Sequence, residues 1–596
     1  MTTADGSVPA PVPARAQLRL PGSPGERRLA KGYGPLVVLL VAFVLMALFV
    51  PTVAPEQEVV HLSNGVGQTG GSSGTGGSAA TAGSSGSAGS SGSGGSTAGS
   101  SGSSGATAAA GGSSGGSSGS GGSGSTRATA AVVPGSPCPG KSLQVPGDPY
   151  SPPCIAFSGS NGGATSQGVS GSTITVSYRV TSDATSFQQQ LAAIGGAQFS
   201  DSQADIERTI QGLEDYFNKN FQLYGRKLDV HFYNGQGSIT NELLGEGQQQ
   251  AQADAITAGQ QLHAFGELNG VSEPYDDALA QQKVIAFGSP YLSANWMGQR
   301  APYEWSLATE CNDVASTAAE FAVNELAPGP AAFAGGSQAG KPRKYAVIAP
   351  DNPWYQDCAN AAVKYLQGHG ITVTDDIQYQ LDLSTLSSQA ASVISKLQND
   401  GVTTILCGCD PIFPVYLTSR AHEQSYSPEW GVVGVALTDT DIVGQLFDQS
   451  EWAHAFGVSY AGPTLPKAAT LGYSAYKSVR GDEPANVVDL LYAQMYMMVI
   501  GIQMAGPTLT PQSFEQGMRA YPGSVAGASN AEFGTWKFPS GTYTPQRDSW
   551  VIYWNPTKQS TFNGKAGSYV VASPRYLPGQ YPTGKPPFPS CYPSSC

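Results

Sequence analysis

KYAVIAPDNPWYQDCANAAVKYLQGHGITV, residues 344–373, decides the fold. KYAVIAP at 344–350 is a short apolar run, 355–368 has helical character, and ITVTDDIQY at 371–379 returns to a strand pattern. A strand, a helical crossover and a second strand predict parallel pairing in an α/β sheet. The alternation continues with a helix at 387–399, TTILCG at 403–408, a helix at 413–424 and WGVVGVA at 430–436. A helix over 312–326 leads into it.

The same alternation occurs once more upstream. TITVSY at 173–178 is followed by DIERTIQGLEDYFNKN at 205–220, KLDVHFY at 227–233, a Gln/Ala-rich helix over 241–258, HAFGE at 263–267, a short helix around 274–282 and KVIAFG at 283–288. Two such series, together roughly 400 residues, exceed one ordinary core and predict two lobes. VVDLLYAQMYMMVIGIQMA at 487–505 has the length of a membrane span, but Asp489, Gln494 and Gln503 interrupt it. Each would be costly in lipid, so the expectation is a buried core helix. DSWVIYWNP at 548–556 reads as a closing strand.

The 596 residues carry 30 Lys and Arg against 43 Asp and Glu, a net charge of −13. This acidic balance, without a basic block, argues against nucleic acid as a partner. LVVLLVAFVLMALFVPTV at 36–53 is uncharged and long enough to cross a bilayer core of about 30 Å. Arg15, Arg19, Arg27, Arg28 and Lys31 precede it and Glu56 and Glu58 follow, so the bias toward cytoplasmic positive charge places everything after Val53 outside. Pro55 stands just beyond the small residues Thr52 and Ala54, which favours an uncleaved anchor over a signal peptide. Residues 64–126 are nearly pure Gly, Ser, Ala and Thr, a flexible tether of roughly 45 Å r.m.s. span.

The expected organisation is therefore a cytoplasmic segment at 1–34, a transmembrane anchor at 35–54 and a Gly/Ser tether at 55–134. A Pro-rich collar at 135–170, a first lobe at 171–300 and a second at 301–465 follow. Residues 466–573 return to the first lobe and supply closing strands, and 574–596 form a Pro-rich tail. Expected localisation is the cell membrane, single-pass, with the C-terminal part extracytoplasmic.

All eight cysteines follow the apolar segment: Cys138, Cys154, Cys311, Cys358, Cys407, Cys409, Cys591 and Cys596. An even number on the exported side reads as disulfides. Cys407 and Cys409 share one face of a strand end, and with Cys311 and Cys358 near two helix N-termini they suggest a metal site as the alternative. No C-x2-C pair occurs and the six histidines are scattered, which favours disulfides. Cys311–Cys358 is the first pair expected, Cys138–Cys154 brackets the collar, and CYPSSC invites a local Cys591–Cys596 bond. Geometry favours a Cys407–Cys409 bond least.

GSPCPGKS at 135–142 matches the phosphate-loop pattern G-x-x-x-x-G-K-[ST]. Pro137 and Pro139 lie inside it, and the four prolines of LQVPGDPYSPPC follow where a helix would have to open, so it reads as a domain-boundary marker. H-E-x-x-H does not occur, and G-x-S-x-G occurs only within the Gly/Ser tether and nowhere after residue 135; no enzyme activity, catalytic residue, metal or cofactor is expected. Arg480-Gly481-Asp482 reads as a chance tripeptide.

The chain resembles the type I periplasmic-binding-protein fold, in particular the solute-binding proteins of ABC importers for branched-chain amino acids. YGRKLDVHFYNGQGS at 224–238 is similar to the segment after the family's first helix, and HAFGELNGVSEPYDDALAQQKVIAFGSPYLS at 263–293 to its third strand, helix and fourth strand. KYAVIAPDNPWYQDCANAAVKYLQGHGITV resembles the unit opening the second lobe, and AQMYMMVIGIQMAG at 493–506 a later helix. The resemblance implies two Rossmann-like lobes, joined by hinge strands, that close on a small solute. It implies that the first lobe holds the polar head through Glu267, Asn269 and Gly270 and through Ser289, Tyr291 and Ser293. From the second lobe, Trp354 and Tyr355 close over the ligand, and Asp410 and Asp439 stand where a carboxylate receives an ammonium. Bland roles stand beside these: Trp354 capping a helix, Asp410 as a helix N-cap, and 289–293 as hinge packing.

The chain departs from the family's amino-acid binders at Leu268-Asn269-Gly270, where those carry consecutive small hydroxyl residues. TSDATSFQQQLAAIGGAQFSDSQA at 181–204 is longer than the usual first loop and reads as a lid or a remodelled mouth. The function implied is a membrane-tethered binding protein capturing a small polar or amphipathic solute, amino acid-like or an amide or carboxylate, for an ABC-type permease. A sensing ectodomain for a partner membrane protein and a wall-associated structural protein are the alternatives.

Overall fold

In the computed structural model, the described residues are 135–593 except 196–199, 289, 328 and 526–530. The expected anchor and tether lie outside them. Two parallel sheets organise the chain. The first contains β1 (Thr173–Val180), β2 (Lys227–Asn234), β3 (Gly266–Glu267), β4 (Ile285–Phe287) and β5 (Glu304–Trp305), in the order β2-β1-β3-β4-β5. Every neighbouring pair is parallel. Helices α1 (Ala184–Gly195), α2 (Gln203–Asn220), α3 (Gln248–Ile256) and α4 (Glu273–Gln281) make the crossovers.

The second lobe begins with α5 (Cys311–Phe321) and runs through β6 (Tyr345–Pro350), α6 (Pro353–Gly368), β7 (Val373–Tyr379), α7 (Leu386–Asp400), β8 (Thr404–Cys407), α8 (Phe413–Glu423), β9 (Glu429–Val432) and β10 (Ala455–Ser459). The strands β6 to β10 repeat the first lobe's order, as β7-β6-β8-β9-β10. The hairpin β11 (Trp550–Gln559) and β12 (Ala566–Val571) then adds antiparallel to β10. The closing strands thus join the second lobe's sheet, and of residues 466–573 it is the helical part that packs on the first lobe. There lie α9 (Leu471–Lys477), α10 (Val488–Ala505) and α11 (Pro511–Ala520).

Sheets covered by helices on both faces must bury both, and their strands are accordingly apolar. YAVIAP of β6, TILC of β8 and AFGVS of β10 are buried at every position. A large and a small hydrophobic cluster fill the first lobe, and two lie on the opposite faces of the second sheet. Helix α10 is the sole described helix long and apolar enough to cross a membrane, and most of it is buried in the first lobe. Its polar residues meet protein partners there: the Gln494 amide donates to the Phe287 carbonyl at 2.6 Å, and the Gln503 amide to the Pro153 carbonyl at 2.9 Å.

The collar packs on this lobe. Cys138 is bonded to Cys154, and Ser136–Pro137 pair antiparallel with Ile155–Ala156, so GSPCPGKS opens a short ladder and no helix. The Tyr496 hydroxyl donates to the buried Asp148 at 2.8 Å. The Pro-rich tail covers the second lobe, with Phe588 and Tyr592 against Phe456. Cys591 is disulfide-bonded; its expected partner, Cys596, lies outside the described residues.

Helices α10 and α11 meet through glycine. A methyl group on Gly517 would stand 2.5 Å from the Ala505 nitrogen and 2.7 Å from the Gly501 carbonyl oxygen. Exchanging a helical glycine for alanine ordinarily stabilises by about 0.4–1 kcal/mol. Here overpacking against a backbone costs about 1–3 kcal/mol. Gly517→Ala is expected to destabilise the chain by that larger amount in urea unfolding; a gain in stability would show that the two helices separate freely.

Candidate functional site

Parallel α/β sheets bind ligands beyond the carboxyl ends of their strands, beside the point where strand order reverses. The loops after β3, β4 and β5 of the first lobe face those after β6, β8 and β9 of the second, and between them lies a cavity of about 760 Å³. Ligand sites typically span about 300–1,000 Å³.

Three segments cross between the lobes, at 306–310, 460–470 and 534–549, and they are bonded to one another. Ser306 N–H donates to the Tyr543 carbonyl at 3.1 Å, and Tyr543 N–H donates to the Glu310 carboxylate at 2.9 Å. The Thr309 hydroxyl donates to the Gln546 carbonyl at 3.2 Å, and the Gln546 amide to the Tyr460 carbonyl.

Opposite this hinge the lobes touch. Ala436 N–H donates to the Tyr291 hydroxyl at 2.7 Å, and the Asn352 amide donates to the Leu243 carbonyl at 2.6 Å. Tyr291 (φ 63°), Ala436 (φ 50°) and Leu437 (φ 60°) all have left-handed backbone. Such residues cost of order 1–3 kcal/mol each and persist only where surroundings over-determine them. Helix α1, from the long first loop, reaches across as well: Leu191 packs with Leu381 and Leu383 against the second lobe's core.

The cavity wall is mostly carbon. Leu307, Val347, Leu406, Val433 and Val435 contribute, with the Cys311–Cys358 bond and Cys409, which is bonded to Cys407. Its carboxyl groups, among the described residues, are those of Asp410, Asp439, Asp489 and Glu532, and no Lys, Arg or His joins them. Burial raises Asp410 although the Tyr379 hydroxyl donates to it at 2.7 Å and Ile412 and Phe413 N–H groups cap it at 2.7 and 3.1 Å. Burial likewise raises Asp439, which accepts from the Ser459 hydroxyl at 2.6 Å. Burial first, and the neighbouring Asp489 second, push Glu532 up to about 8, so it holds a proton at neutral pH.

The sequence matches the periplasmic binding protein family over residues 175–561, which takes in nearly all of the first sheet, all of the second but β12, the three crossings and the cavity. The chain belongs to that family, in its type I form. No curated protein matches. Among solved structures, a fatty acid ABC transporter substrate-binding protein from Thermomonospora curvata is similar at 12% identity and TM-score 0.48, covering 72% of this chain and 100% of that one. A solute-binding protein of an ABC transporter from Rhodopseudomonas palustris BisB5, in complex with 3,4-dihydroxybenzoic acid, gives 12% and 0.46, covering 68% and 98%. The branched-chain amino acid transporter substrate-binding protein LivJ from Streptococcus pneumoniae, in complex with isoleucine, gives 11% and 0.45, covering 67% and 99%. Likenesses at this level carry no argument, and the family assignment rests on the match over residues 175–561.

Of the positions that the family resemblance nominated, this binding protein brings Tyr291, Tyr355, Asp410 and Asp439 to the cavity wall. Glu267 is turned inward instead, accepting from the Ser177 hydroxyl, from Arg179 N–H at 2.8 Å and from Asn269 N–H at 3.0 Å. Asn269 donates its amide to the Arg179 carbonyl at 2.6 Å, and Gly270 is buried over Asp276. Ser293 caps a short helix by accepting from Trp296 N–H at 3.1 Å. Trp354 lies over Gly245, away from the cavity wall. Ser289 lies outside the described residues.

The wall also holds residues that strand-end reasoning did not reach. Asp489, Leu490 and Gln494 come from α10, and Glu532, Phe533 and Trp536 from the stretch between α11 and β11. The polar residues inside an otherwise apolar helix were the signal available for the first group.

Glu532 gives the fold a pH dependence of definite sign. Its folded value near 8 exceeds that of a free glutamate near 4.5, so the folded chain keeps a proton that the unfolded chain releases. Stability from this group is full below the unfolded value and is lost as pH rises through about 8. Glu214, Glu325 and Glu451, each raised by burial to about 7, act in the same direction. The melting temperature is expected to fall between about pH 5.5 and about pH 8.5, and to fall less steeply in Glu532→Gln. An unchanged slope in that variant would place the proton elsewhere.

Proposed function

We propose that the chain is a membrane-tethered, extracytoplasmic receptor that captures a small amphipathic solute between its lobes and delivers it to an ABC-type permease. The observation that carries this reading is the cavity at the facing strand ends, enclosed by two lobes that meet at Tyr291–Ala436 and are joined by three bonded crossings. Family membership supports a solute-binding role. The mostly apolar wall with a few carboxyl groups supports an amphipathic solute over a strongly polar one. A ligand stabilises the closed arrangement only by as much as it prefers that arrangement. No bond need be made or broken by the protein.

The N-terminal apolar segment and the Gly/Ser tether supply the attachment in this reading, and the collar joins the tether to the first lobe. Native mass spectrometry of the full chain purified without denaturation is expected to show a small molecule bound at one per chain. Solvent exchange that removes it is expected to lower the melting temperature, since a ligand of the folded state stabilises by mass action. Tyr291→Phe deletes one interlobe hydrogen bond, worth about 0.5–1.5 kcal/mol. It is expected to weaken solute affinity several-fold while leaving the melting temperature of the solute-free chain nearly unchanged. An equal loss in both would make the contact a folding element with no part in closure.

A further inference from the structure

The cavity does not end at the cleft. Its wall continues along one face of α5, through Val314, Ala315, Ala318 and Ala319, and along one face of α6, through Cys358, Ala359 and Ala362. Opposite these helices it is bounded by Val347 of β6, Leu406 of β8, and Val433 and Val435 beyond β9. These are residues of the second lobe's own hydrophobic cluster. A helix-on-sheet layer normally closes by interdigitating large side chains, at the packing density of an organic crystal. Here the two helices present alanine at the positions that would fill the gap, and open space extends between helices and sheet from the cleft into the lobe.

At the other end, the mouth is flanked by two leucines from opposite lobes. Leu437 is 48% exposed and Leu490 is 49% exposed, and both line the same cavity. Exposed large apolar residues on both lips extend the apolar surface from the interior to solvent. Between lips and interior lie the four carboxyl groups, and no Lys, Arg or His lines the cavity among the described residues. A wall that is carbon at its inner end and polar only near the cleft suits a molecule with one tail and one head. The absence of a cationic partner on that wall disfavours an anionic head, which would be buried unpaired.

Resting on the reading that the cleft takes a solute, we infer that the slot between α5, α6 and the second sheet accepts an unbranched hydrocarbon chain, whose uncharged or cationic head stays in the cleft beside Asp410, Asp439, Asp489 and Glu532. An elongated chain suits a space bounded along its length by two helices on one side and a sheet on the other. Each buried methylene contributes about 0.8 kcal/mol, which is about fourfold in affinity.

The test uses the full chain, stripped of bound solute, with n-alkanols from hexanol to octadecanol titrated by calorimetry or by displacement of a fluorescent alkyl probe. Affinity is expected to rise about fourfold per methylene until the slot is full and then to level. Ala318→Leu and Ala362→Leu, on different helices, each place a larger side chain in the slot. Each is expected to weaken the long alkanols at least tenfold, to leave hexanol nearly unaffected, and to move the plateau to a shorter chain. The carboxylate of the same length is expected to bind at least tenfold more weakly than the alkanol.

Affinity independent of chain length overturns the slot, as does unaltered long-chain binding in both variants when each melts cooperatively. A carboxylate equal to or tighter than the alkanol overturns the head-group assignment. Binding of a short polar solute without any alkanol binding removes the slot and leaves the solute-receptor reading standing. Failure of every small molecule to bind, with none retained on purification, removes both.

Discussion

The Cys311–Cys358 bond ties the first turn of α5 to α6, and the arrangement of the cavity depends on that tie. Protein interiors collapse toward crystal-like density, and a gap lined by alanines closes wherever its walls are free to relax. These walls are not free. The disulfide fixes the helices relative to each other at the cleft, and the Cys407–Cys409 bond stiffens the end of β8 across from them. Facing them, the left-handed pair Ala436–Leu437 holds the loop after β9 at the cavity wall, where Tyr291 accepts its hydrogen bond. Covalent ties and a strained loop keep open what packing alone would fill.

The two-lobe fold was legible because its signal is periodic. Alternating buried strands and crossover helices recur in both halves, and each half uses the order 2-1-3-4-5, counted from its own first strand. The placement of the closing strands was not legible. DSWVIYWNP reads as a strand in any sheet, and only the pairing of Ser459 with Trp550 assigns it to the second lobe. The interruption of α10 by Asp489 and Gln494 was correctly read as incompatible with lipid. The same residues lie on the cavity wall, and one helix carried both messages: a polar group in an apolar helix needs a partner or a cavity.

The candidate site was half legible, for a local reason. Strand ends place residues near a cleft, but hydrogen bonding decides which way they turn. Arg179 illustrates this: fully buried, it is paired with Glu242 at 2.7 Å and Asp254 at 3.3 Å. That ion cluster consolidates the loops after β1 and β2, and the adjacent Glu267 is held by Ser177 and two backbone N–H groups. A buried ion pair needs nearly every lone pair and proton satisfied. Arg179, Glu242, Asp254 and Glu267 are bonded to the protein itself in this way.

What remains for a ligand is decided by this internal bonding. Arg575 reaches toward the hinge and is likewise spent there, donating to the Ala461 carbonyl at 2.6 Å and stacking 4.1 Å over Trp550. The carboxyl groups on the cavity wall are raised by burial, so the wall presents protonated or internally bonded acids to its contents. Such a surface gains little from a charged anion and gains from contact with hydrocarbon, area by area. Discrimination then falls on shape. The alanine faces of α5 and α6 set the width of the slot, and the residues at its inner end set its length. The turn at Leu268-Asn269-Gly270 is held by its own hydrogen bonds, and it is the second lobe whose core is left open from the cleft inward.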